Sequence, residues 1–418
     1  MSQLLVEYPL SHPHAIDPPL ARGADGVLRY GNLTPALTEL LDLQVHAFGG
    51  REAVVESGGV RLTYRELWHS ASRIAGGLQE HGIGYGDRVA IRMPAGARWV
   101  RAFLGALLSG AVPVLVDDAL PDVVAEQVIL DSRADFVLGR TGSASRCADF
   151  ELPDGAAFID DGAALNDLAL LCYTGDAAAP KGVELTNENL LSAIRSVVGT
   201  LDLPTDGLRN LVLLPLAHAS GCVDQMLSTF AVGGTVVLAP DTDRLAETLV
   251  AERIDMVSAT PRIFARLLPE LSALRAGGLC TDGVARVSTA GHRSERAAAP
   301  TDSIELAAAL RDIFPAAHQW SIWGATETCG IGLAVDYSAG HGLGSALGFP
   351  FGGTELALCG PRAELGHGEL LCRGPNVSRR YWNDPMATEA GFTGTWFHTG
   401  AQVIIDPDGL VRRVGSLQ

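Results

Sequence analysis

Amphipathic helices alternate with strand-like runs of almost purely apolar residues in the first third of this sequence. Residues 63–82 have the pattern of a helix, because Thr63 and Glu66 fit a capping box and apolar residues recur on one face. Apolar strands are predicted on either side of a second helix, at 87–93 and 112–116. Strands without a polar face indicate a largely parallel sheet that helices cover on both sides. The pattern therefore predicts an α/β protein.

The alternation starts again after a polar interval at residues 141–167 and changes character near residue 340. The second region has predicted strands at 211–214, 235–238, 256–258, 284–288 and 318–322, and a predicted helix at 243–252. Beyond residue 340, short strands at 354–358 and 368–372 lie between glycine and proline turns, as in a small β-barrel-like unit. The sequence thus predicts two layered α/β subdomains, at 1–165 and 166–340, and a β-barrel-like subdomain at 341–418.

Composition excludes several classes of function. The 418 residues carry a formal net charge of −17 without a basic run, which argues against a nucleic acid or an anionic membrane surface as partner. The longest apolar stretch, 102–116, is too short to span a bilayer, and the first twenty residues lack the pattern of a secretory signal. We therefore expect a cytoplasmic protein. The 7 cysteines are scattered singly, so structural zinc and a disulfide framework are both unexpected.

A small-residue turn resembles a loop that grips phosphate. The apolar run 168–173 enters Gly175-Asp176-Ala177-Ala178-Ala179, the turn ends at Pro180-Lys181-Gly182, and a helix starts near Thr186. This order suits an anion site lined by backbone amides. It is not a Walker A loop, because that motif needs glycine where Pro180 stands and a hydroxyl where Gly182 stands.

Two further segments give this loop a family context. One reads Trp323-Gly324-Ala325-Thr326-Glu327-Thr328, and the other is GELLCRGPNVSRRYWNDPMATEAGF near the C-terminus. Together with TYRELWHSASRIAGG near the front, their order and spacing resemble the adenylate-forming superfamily: acyl- and aryl-CoA synthetases, luciferases and the adenylation domains of peptide synthetases. The resemblance implies two layered α/β subdomains with a distorted β-barrel. It also implies that a carboxylate reacts with ATP and Mg²⁺ to give an acyl-adenylate, and that the acyl group often passes to a thiol of CoA or an acyl carrier protein.

The resemblance assigns roles to individual residues. Trp323 would stack on adenine, Thr326 would meet the α-phosphate and Glu327 would hold Mg²⁺, which suits an indole face and a hard cation that prefers oxygen ligands. His218 matches a histidine beside the acyl pocket, and Lys181 is the ammonium retained in the phosphate loop. The remaining nucleotide contacts implied by the family are Thr174, Gly291, His292 and Gly324. Catalytic roles are expected for His218, Lys181 and Thr326.

One glycine narrows the substrate class that the resemblance implies. Gly221 stands where amino-acid-activating members carry an aspartate for the substrate ammonium. The match therefore favours a carboxylic acid without an α-amine. Asp224 lies three residues further on, and a small shift in alignment would place a carboxylate at that position.

Four departures from the family pattern affect the nucleotide site. The phosphate loop is one residue shorter, lacks its hydroxyls and gains Asp176, whose charge would oppose a triphosphate. Ala401 stands where the family has an aspartate that accepts hydrogen bonds from the ribose. Gly415-Ser416 replaces the hinge glycine and arginine, and the sequence does not continue into the mobile lid that supplies a catalytic lysine in the family.

Three hypotheses follow from this mixture of retained and lost residues. The first is a working acid-activating ligase, which uses ATP and Mg²⁺ and is completed by a separate lid-bearing protein. The second is a repurposed enzyme that uses no ATP and performs acyl transfer or ring closure, with His218 and Asp224 or His292 as base. The third is a non-catalytic partner that binds an acyl chain, a carrier protein or a homologous synthetase.

Overall fold

The computed structural model describes residues 4–9, 20–140, 147–148, 151–158, 162–175, 179–239, 245–278, 280–292, 303–339 and 346–416. Its α-helices are α1 (Leu37–Phe48), α2 (Tyr64–Glu80), α3 (Ala97–Leu108), α4 (Asp122–Asp131), α5 (Asn187–Thr200), α6 (Ser228–Ala231), α7 (Leu245–Ala251), α8 (Pro261–Ala276), α9 (Ser303–Ile313) and α10 (Pro385–Gly391). A π-helix, Ser220–Leu227, precedes α6, and short 3₁₀ helices span Thr326–Thr328, Tyr337–Ala339 and Ala363–Leu365.

The strands of the described residues are β1 (Leu5–Tyr8), β2 (Leu20–Arg22), β3 (Leu28–Tyr30), β4 (Glu52–Glu56), β5 (Arg61–Thr63), β6 (Arg88–Arg92), β7 (Val112–Leu115), β8 (Phe136–Gly139), β9 (Cys147–Ala148), β10 (Leu168–Tyr173), β11 (Gly182–Thr186), β12 (Arg209–Val212), β13 (Thr235–Leu238), β14 (Met256–Ala259), β15 (Arg286–His292), β16 (His318–Gly324), β17 (Gly332–Asp336), β18 (Ala346–Pro350), β19 (Glu355–Cys359), β20 (His367–Arg373), β21 (Phe392–Thr393), β22 (Trp396–Ile405) and β23 (Val411–Ser416).

Helix α2 shows how the local sequence sets an element. Thr63 caps it: its side chain accepts from the backbone N–H of Glu66, whose carboxylate in turn accepts from the Thr63 N–H at 2.8 Å. The apolar face packs into the core, where Leu67, Ala71 and Leu78 are buried. The helix predicted at 63–82 is therefore confirmed, together with its capping box.

The first sheet is six-stranded, in the order β11-β10-β7-β6-β8-β9. All its neighbouring strands are parallel except β10 and β11, which form an antiparallel pair. Because parallel strands end at the same edge, the residues after β7 and β10 lie side by side there. Leu115 pairs with Cys172 in the last registered position of these two strands.

The second sheet is larger and has two regions. Its parallel region has the order β4-β13-β12-β14-β15-β16, and β5 closes one edge as an antiparallel strand. Beyond β16 the pairing is antiparallel, through β17, β18, β23, β22, β20, β19 and β1. The predicted α/β class with largely parallel sheets is confirmed, and the antiparallel strands continue the larger sheet beyond β16.

The smaller sheet, β6 to β11, is inserted in the chain between β5 and β12 of the larger sheet. β4 and β5 precede β6 in sequence but join the larger sheet through β13, whereas β10 and β11 follow residue 165 and join the smaller sheet through β7. Sheet membership therefore does not follow the predicted limit at residue 165. The limits 1–165, 166–340 and 341–418 stay a prediction.

Strand ends differ from the predicted ones where backbone pairing continues past the apolar core. The strand predicted at 284–288 runs from Arg286 to His292, because its ladder with β16 extends through Gly291 and His292. Within the described ranges, no helix is long and apolar enough to cross a membrane.

Candidate functional site

The site lies where the carboxyl ends of the parallel strands of both sheets come together. Asp117 follows β7 and Thr174 follows β10 in the smaller sheet. His218 follows β12, and Thr326 and Glu327 follow β16 in the larger one. Crevices at the carboxyl ends of such strands are the usual ligand sites of open α/β sheets.

The loop at 174–181, whose sequence resembles a phosphate-binding loop, is the phosphate-like loop. Hydrogen bonds between Thr174 and Lys181 join its two ends. The Lys181 N–H donates to the Thr174 hydroxyl at 3.0 Å, and the Thr174 N–H donates to the Lys181 carbonyl at 3.0 Å. The Lys181 side chain is exposed. Asp176, Ala177 and Ala178, which carry the predicted departure, lie outside the described residues. The described part of the loop thus presents an ammonium next to a turn fixed by its own hydrogen bonds.

Glu327 lies in the tight turn after β16 and is almost fully buried, with 4 % of its surface exposed. Its carboxylate accepts a hydrogen bond at 2.5 Å from the hydroxyl of Tyr381, a residue 54 positions away in sequence. The Lys181 ammonium nitrogen lies 5.2 Å from the centroid of the same tyrosine ring. Lys181 and Glu327, two of the predicted site residues, are therefore brought to one place.

The turn after β16 depends on close backbone contacts. Cys329 and Gly330 both have positive φ, 58° and 84°, so the chain reverses sharply after Thr328. A side chain at Gly324 would lie 2.4 Å from the Gly330 carbonyl carbon. Gly324 thus has a packing reason for its identity, and its predicted contact with the cofactor stays a prediction.

The segment that carries Tyr381 pairs with β11, the strand that directly follows the phosphate-like loop. The Trp382 N–H donates to the Gly182 carbonyl at 2.7 Å, and Val183 forms an antiparallel bridge with Tyr381. The Ser378 N–H donates to the Glu327 carbonyl at 2.7 Å. Three distant parts of the sequence therefore share this corner of the site.

His218 pairs with an acidic residue of the other sheet. Its Nε2 atom lies 3.1 Å from Oδ2 of Asp117, and both side chains are about a quarter exposed, at 24 % and 26 %. The contact with His218, and next the Ala119 N–H that donates to Oδ1 at 2.9 Å, hold the pKa of Asp117 below its ordinary value, although burial acts in the opposite direction. Asp117 is therefore an ionised partner that orients the imidazole.

A π-helix follows His218 and explains Gly221. A Cβ atom on Gly221 would stand 2.1 Å from the Pro215 carbonyl oxygen, so an aspartate does not fit here without a backbone shift. Single π-helical turns are frequent at functional sites. The Pro215 backbone therefore occupies the space in which amino-acid-activating members of the resembling family carry an ammonium-binding aspartate.

Asp224 lies inside the π-helix and is 1 % exposed. Neither carboxylate oxygen has a hydrogen-bond partner at good geometry among the described residues. Burial raises the pKa of this carboxyl to about 7, and the adjacent Gln225 amide offsets only part of that rise. Asp224 is thus a buried carboxyl in the interior of the protein.

The predicted adenine-binding residues lie at the junction of the parallel strands and the antiparallel region. Gly291 pairs with Trp323, and His292 with Gly324, at the ends of β15 and β16. The Trp323 indole is 7 % exposed and shares an apolar cluster with Leu333 and Ala401. Its packing accounts for the aromatic residue, and its stacking on adenine stays a prediction.

The thiols near the site are buried. Cys172, Cys222 and Cys329 are fully buried, and burial raises the pKa of Cys172 to about 12 and those of the other two well above the ordinary value. A reactive cysteine has a lowered pKa and is partly exposed, and these three residues have neither feature.

The residues at the site could hold a hard cation only together with phosphate groups of a bound ligand. Over the described ranges, no group of three or more His, Cys, Asp or Glu side chains is placed to hold a metal ion. Glu327 offers one carboxylate, and its Oε1 already accepts from Tyr381. Mg²⁺ is commonly held by one or two carboxylates together with substrate phosphates. Glu327 would thus be the protein's share of such a site.

Asp117 and Tyr381 were missed by sequence reasoning. Asp117 directly follows the predicted strand 112–116. A polar residue at the carboxyl end of a parallel strand is a signal for a ligand site, and it could have identified Asp117. Tyr381 lies in the C-terminal family segment quoted above, but its role was not visible there, because it depends on the pairing of residues 378–382 with β11.

Comparison with known proteins shows which family has a similar sequence. Residues 41–382 match the family model described as "AMP-binding enzyme". The chain is 29 % identical over 391 residues to a feruloyl-CoA synthase of Amycolatopsis sp, covering 87 % of this chain and 75 % of that protein. It is 30 % identical over 372 residues to a 2-succinylbenzoate–CoA ligase of Bacillus velezensis, covering 84 % of this chain and 72 % of that protein.

A solved structure shows the same fold. The N-terminal domain of FACL13 from Mycobacterium tuberculosis superposes with a TM-score of 0.80 at 25 % identity, covering 91 % of this chain and all of that domain. With the matched segment including the phosphate-like loop, the turn at Glu327 and Tyr381, the chain belongs to the AMP-binding enzyme family.

Proposed function

We propose that this protein activates a carboxylic acid by joining it to the α-phosphate of ATP, with release of pyrophosphate. The observation that carries the proposal is the convergence of Lys181 and Glu327 on opposite parts of Tyr381. A cation for phosphate and a carboxylate for Mg²⁺ are the two charges that such a reaction requires from the protein. The curated relatives named above are ligases that form CoA esters, which agrees with this reaction class.

Each residue has a defined task in the proposed reaction. Lys181 would neutralise phosphate charge, the Thr326 hydroxyl would donate to a phosphate oxygen, and Glu327 would be the residue that holds Mg²⁺. Bound Mg²⁺ would neutralise charge on the triphosphate. The protein otherwise acts by positioning the two reactants, which is a large part of catalysis in such transfers.

His218 and Asp117 lie at the proposed acyl end of the site. An imidazole fixed by an ionised carboxylate can orient a substrate carboxylate or accept a proton from an incoming thiol. Because Gly221 leaves no room for an aspartate, we propose an acid without an α-amine as the substrate. The proposed acceptor is the thiol of CoA or of an acyl carrier protein.

Ala401 is expected to weaken nucleotide binding. A ribose hydroxyl that donates to a carboxylate contributes about 1.5–3 kcal/mol. Ala401 has no side-chain acceptor, so we propose that the protein binds AMP more weakly than it would with an aspartate at this position.

Titration calorimetry tests the proposal. Metal-free AMP, ATP with Mg²⁺ and a non-hydrolysable acyl-adenylate mimic are each titrated into the protein. We expect the mimic to bind most tightly, because it occupies the acyl and nucleotide sites together. Lys181→Ala should weaken the binding of ATP. Glu389→Gln, which replaces an exposed carboxylate, should leave the affinity for ATP unchanged. Absence of binding of all three ligands at millimolar concentration would refute the proposal.

A second candidate function is favoured by one observation. The pair His218 and Asp117 is a carboxylate-oriented histidine of the kind that serves as a base without nucleotide. ATP-independent acyl transfer or cyclisation is therefore the alternative, and a purely binding role toward an acyl chain, a carrier protein or a homologous synthetase is the third. Acyl transfer from a thioester in the absence of ATP, abolished by His218→Ala, would select the second candidate.

A further inference from the structure

Tyr381 is a buried aromatic residue to which the sequence analysis assigned no role. Its ring is 5 % exposed and packs edge-on against Phe392, with centroids 5.7 Å apart. Its N–H donates to the Thr388 hydroxyl at 3.0 Å, and its backbone bridges to Val183. The side chain is therefore held from both the backbone and the ring.

The hydroxyl of Tyr381 engages the carboxylate proposed to bind the metal. It donates to Oε1 of Glu327 at 2.5 Å, and Glu327 is 4 % exposed. A hydrogen bond to an ionised carboxylate is shorter and stronger than one between neutral groups. Because the bond engages one of the two oxygens, it fixes the rotation of the carboxylate and thus the direction in which the other oxygen points.

The face of the same ring is next to the cation proposed to bind phosphate. Nζ of Lys181 lies 5.2 Å from the ring centroid, within the range of a cation–π contact. The Lys181 side chain is otherwise exposed, and a long side chain in water samples many rotamers. The ring restricts the region that the ammonium occupies.

We propose that Tyr381 is a positioning residue that sets the separation between Lys181 and Glu327. Its rigid ring spans the distance between the phosphate-binding cation and the metal-binding carboxylate, and the paired segment 378–382 anchors that ring to β11. This inference rests on the proposed function, because it assigns the two charges to nucleotide phosphate and Mg²⁺. It predicts that the two charges respond differently to two substitutions.

Tyr381→Phe and Tyr381→Leu separate the hydroxyl from the ring. The affinity for Mn²⁺, used in place of Mg²⁺, is measured by electron paramagnetic resonance at saturating ATP, and the affinity for AMP is measured by calorimetry in EDTA. Tyr381→Phe should weaken Mn²⁺ about five- to tenfold, because only the hydrogen bond to Glu327 is lost. It should leave metal-free AMP unchanged. Tyr381→Leu should in addition weaken metal-free AMP about two- to fivefold, because the contact with Lys181 is lost.

Tyr8→Phe is the matched control. The Tyr8 hydroxyl donates to the Ala363 carbonyl at 2.5 Å in the antiparallel region, so this variant loses a comparable hydrogen bond elsewhere. It should bind Mn²⁺ and AMP as the unaltered protein does. Should Tyr381→Leu fail to fold, Tyr381→Phe still tests the hydrogen bond to Glu327, because it keeps the ring and its contact with Lys181.

Two outcomes would overturn the inference while the proposed function stands. One is an unchanged Mn²⁺ affinity in Tyr381→Phe. The other is an equal loss of Mn²⁺ and metal-free AMP in Tyr381→Phe, which would indicate a general disturbance of the fold. If the unaltered protein binds neither AMP nor ATP with Mn²⁺, the proposed function fails and the inference fails with it.

Discussion

Nε2 of His218 and Oδ2 of Asp117 are 3.1 Å apart and connect the carboxyl edges of two different sheets. The residues are 101 positions apart in sequence. Their contact places a hydrogen-bonded imidazole and carboxylate between the layers, at the carboxyl ends of the strands. The pair can therefore be tested both as part of the site and as a link between the sheets.

We expect His218→Ala and Asp117→Asn to be strongly coupled in turnover. Each should lower kcat/KM for acyl transfer on the order of a hundredfold, because an oriented base contributes about that much. The double variant should be little worse than either single one, since the residues act as a unit. Steady-state kinetics of all four proteins measure this. Losses that simply multiply would show that the two side chains act independently.

Ala401→Asp should lower the stability of the free protein and raise its affinity for nucleotide. Ala401 is 6 % exposed in an apolar cluster, so a carboxylate there should lower the Tm of the free protein. If the ribose reaches this position, AMP affinity should rise at least about tenfold. Calorimetry and thermal unfolding check both effects, with Ala401→Asn as the uncharged control. A lower Tm without tighter AMP binding would mean that the loop at 174–181 closes the nucleotide site.

Asp224→Asn should stabilise the protein more at pH 8 than at pH 4.5. The pKa of Asp224 is about 7 in the folded protein, whereas an unfolded aspartate has a pKa of about 4. Between these values the folded state binds more protons, so this group makes stability fall as pH rises from about 4 to about 7 and adds no further change above.

The size of the Asp224 effect should be on the order of 2–4 kcal/mol between the two pH values. Urea unfolding of both proteins at pH 4.5 and pH 8 measures it. The exposed Glu389→Gln serves as control and should show no such difference. The same stability difference between Asp224→Asn and the unaltered protein at both pH values would refute the assignment of this titration to Asp224.

Glu252, which follows α7, links Arg61 of the β4–β5 hairpin to Arg209 of β12 through ion pairs. Glu252 accepts from Arg61 at 2.8 Å and from Arg209 at 2.6 Å, and its side chain is 9 % exposed. Arg61, and next Arg209, lower the pKa of Glu252, so its contribution is present above the unfolded pKa and is lost as pH falls through the lower folded value.

Glu252→Gln should therefore destabilise the protein by about 1 kcal/mol at pH 7 and progressively less below pH 4, since Arg61 is about half exposed and water screens the pair. Asp154→Asn is the matched control, because Asp154 pairs with Arg73 and both side chains are more than half exposed. It should leave unfolding unchanged. Equal effects of the two substitutions at pH 7 would show that burial of Glu252 contributes nothing.

Local signals in the sequence predicted most of the elements. The capping box at Thr63 and Glu66 marked the start of α2, and the strand predicted at 235–238 has the observed limits of β13. These features depend on residues a few positions apart. The sequence motifs also named Lys181 and Glu327, which the fold brings to one ring.

Features that depend on distant pairing could not be predicted. Nothing near β4 indicates that it would join β13 rather than β6, because any apolar strand can serve in either sheet. The π-helix after His218 has no sequence signal of its own, although Gly221 is the residue that its close approach to Pro215 requires. Tyr381 likewise becomes part of the site only through the pairing with Val183.

The insertion of the smaller sheet between β5 and β12 has a consequence for how this chain folds during synthesis. On the ribosome, β4 and β5 emerge long before β13, the partner of β4, so the hairpin stays without that neighbouring strand until β13 has been made. No single break between residues 117 and 167 leaves both sheets whole, since β7 needs β10 and β4 needs β13. The strands of the smaller sheet, β6 to β11, thus form one continuous stretch that recombination could transfer, whereas the larger sheet needs strands from both sides of that stretch.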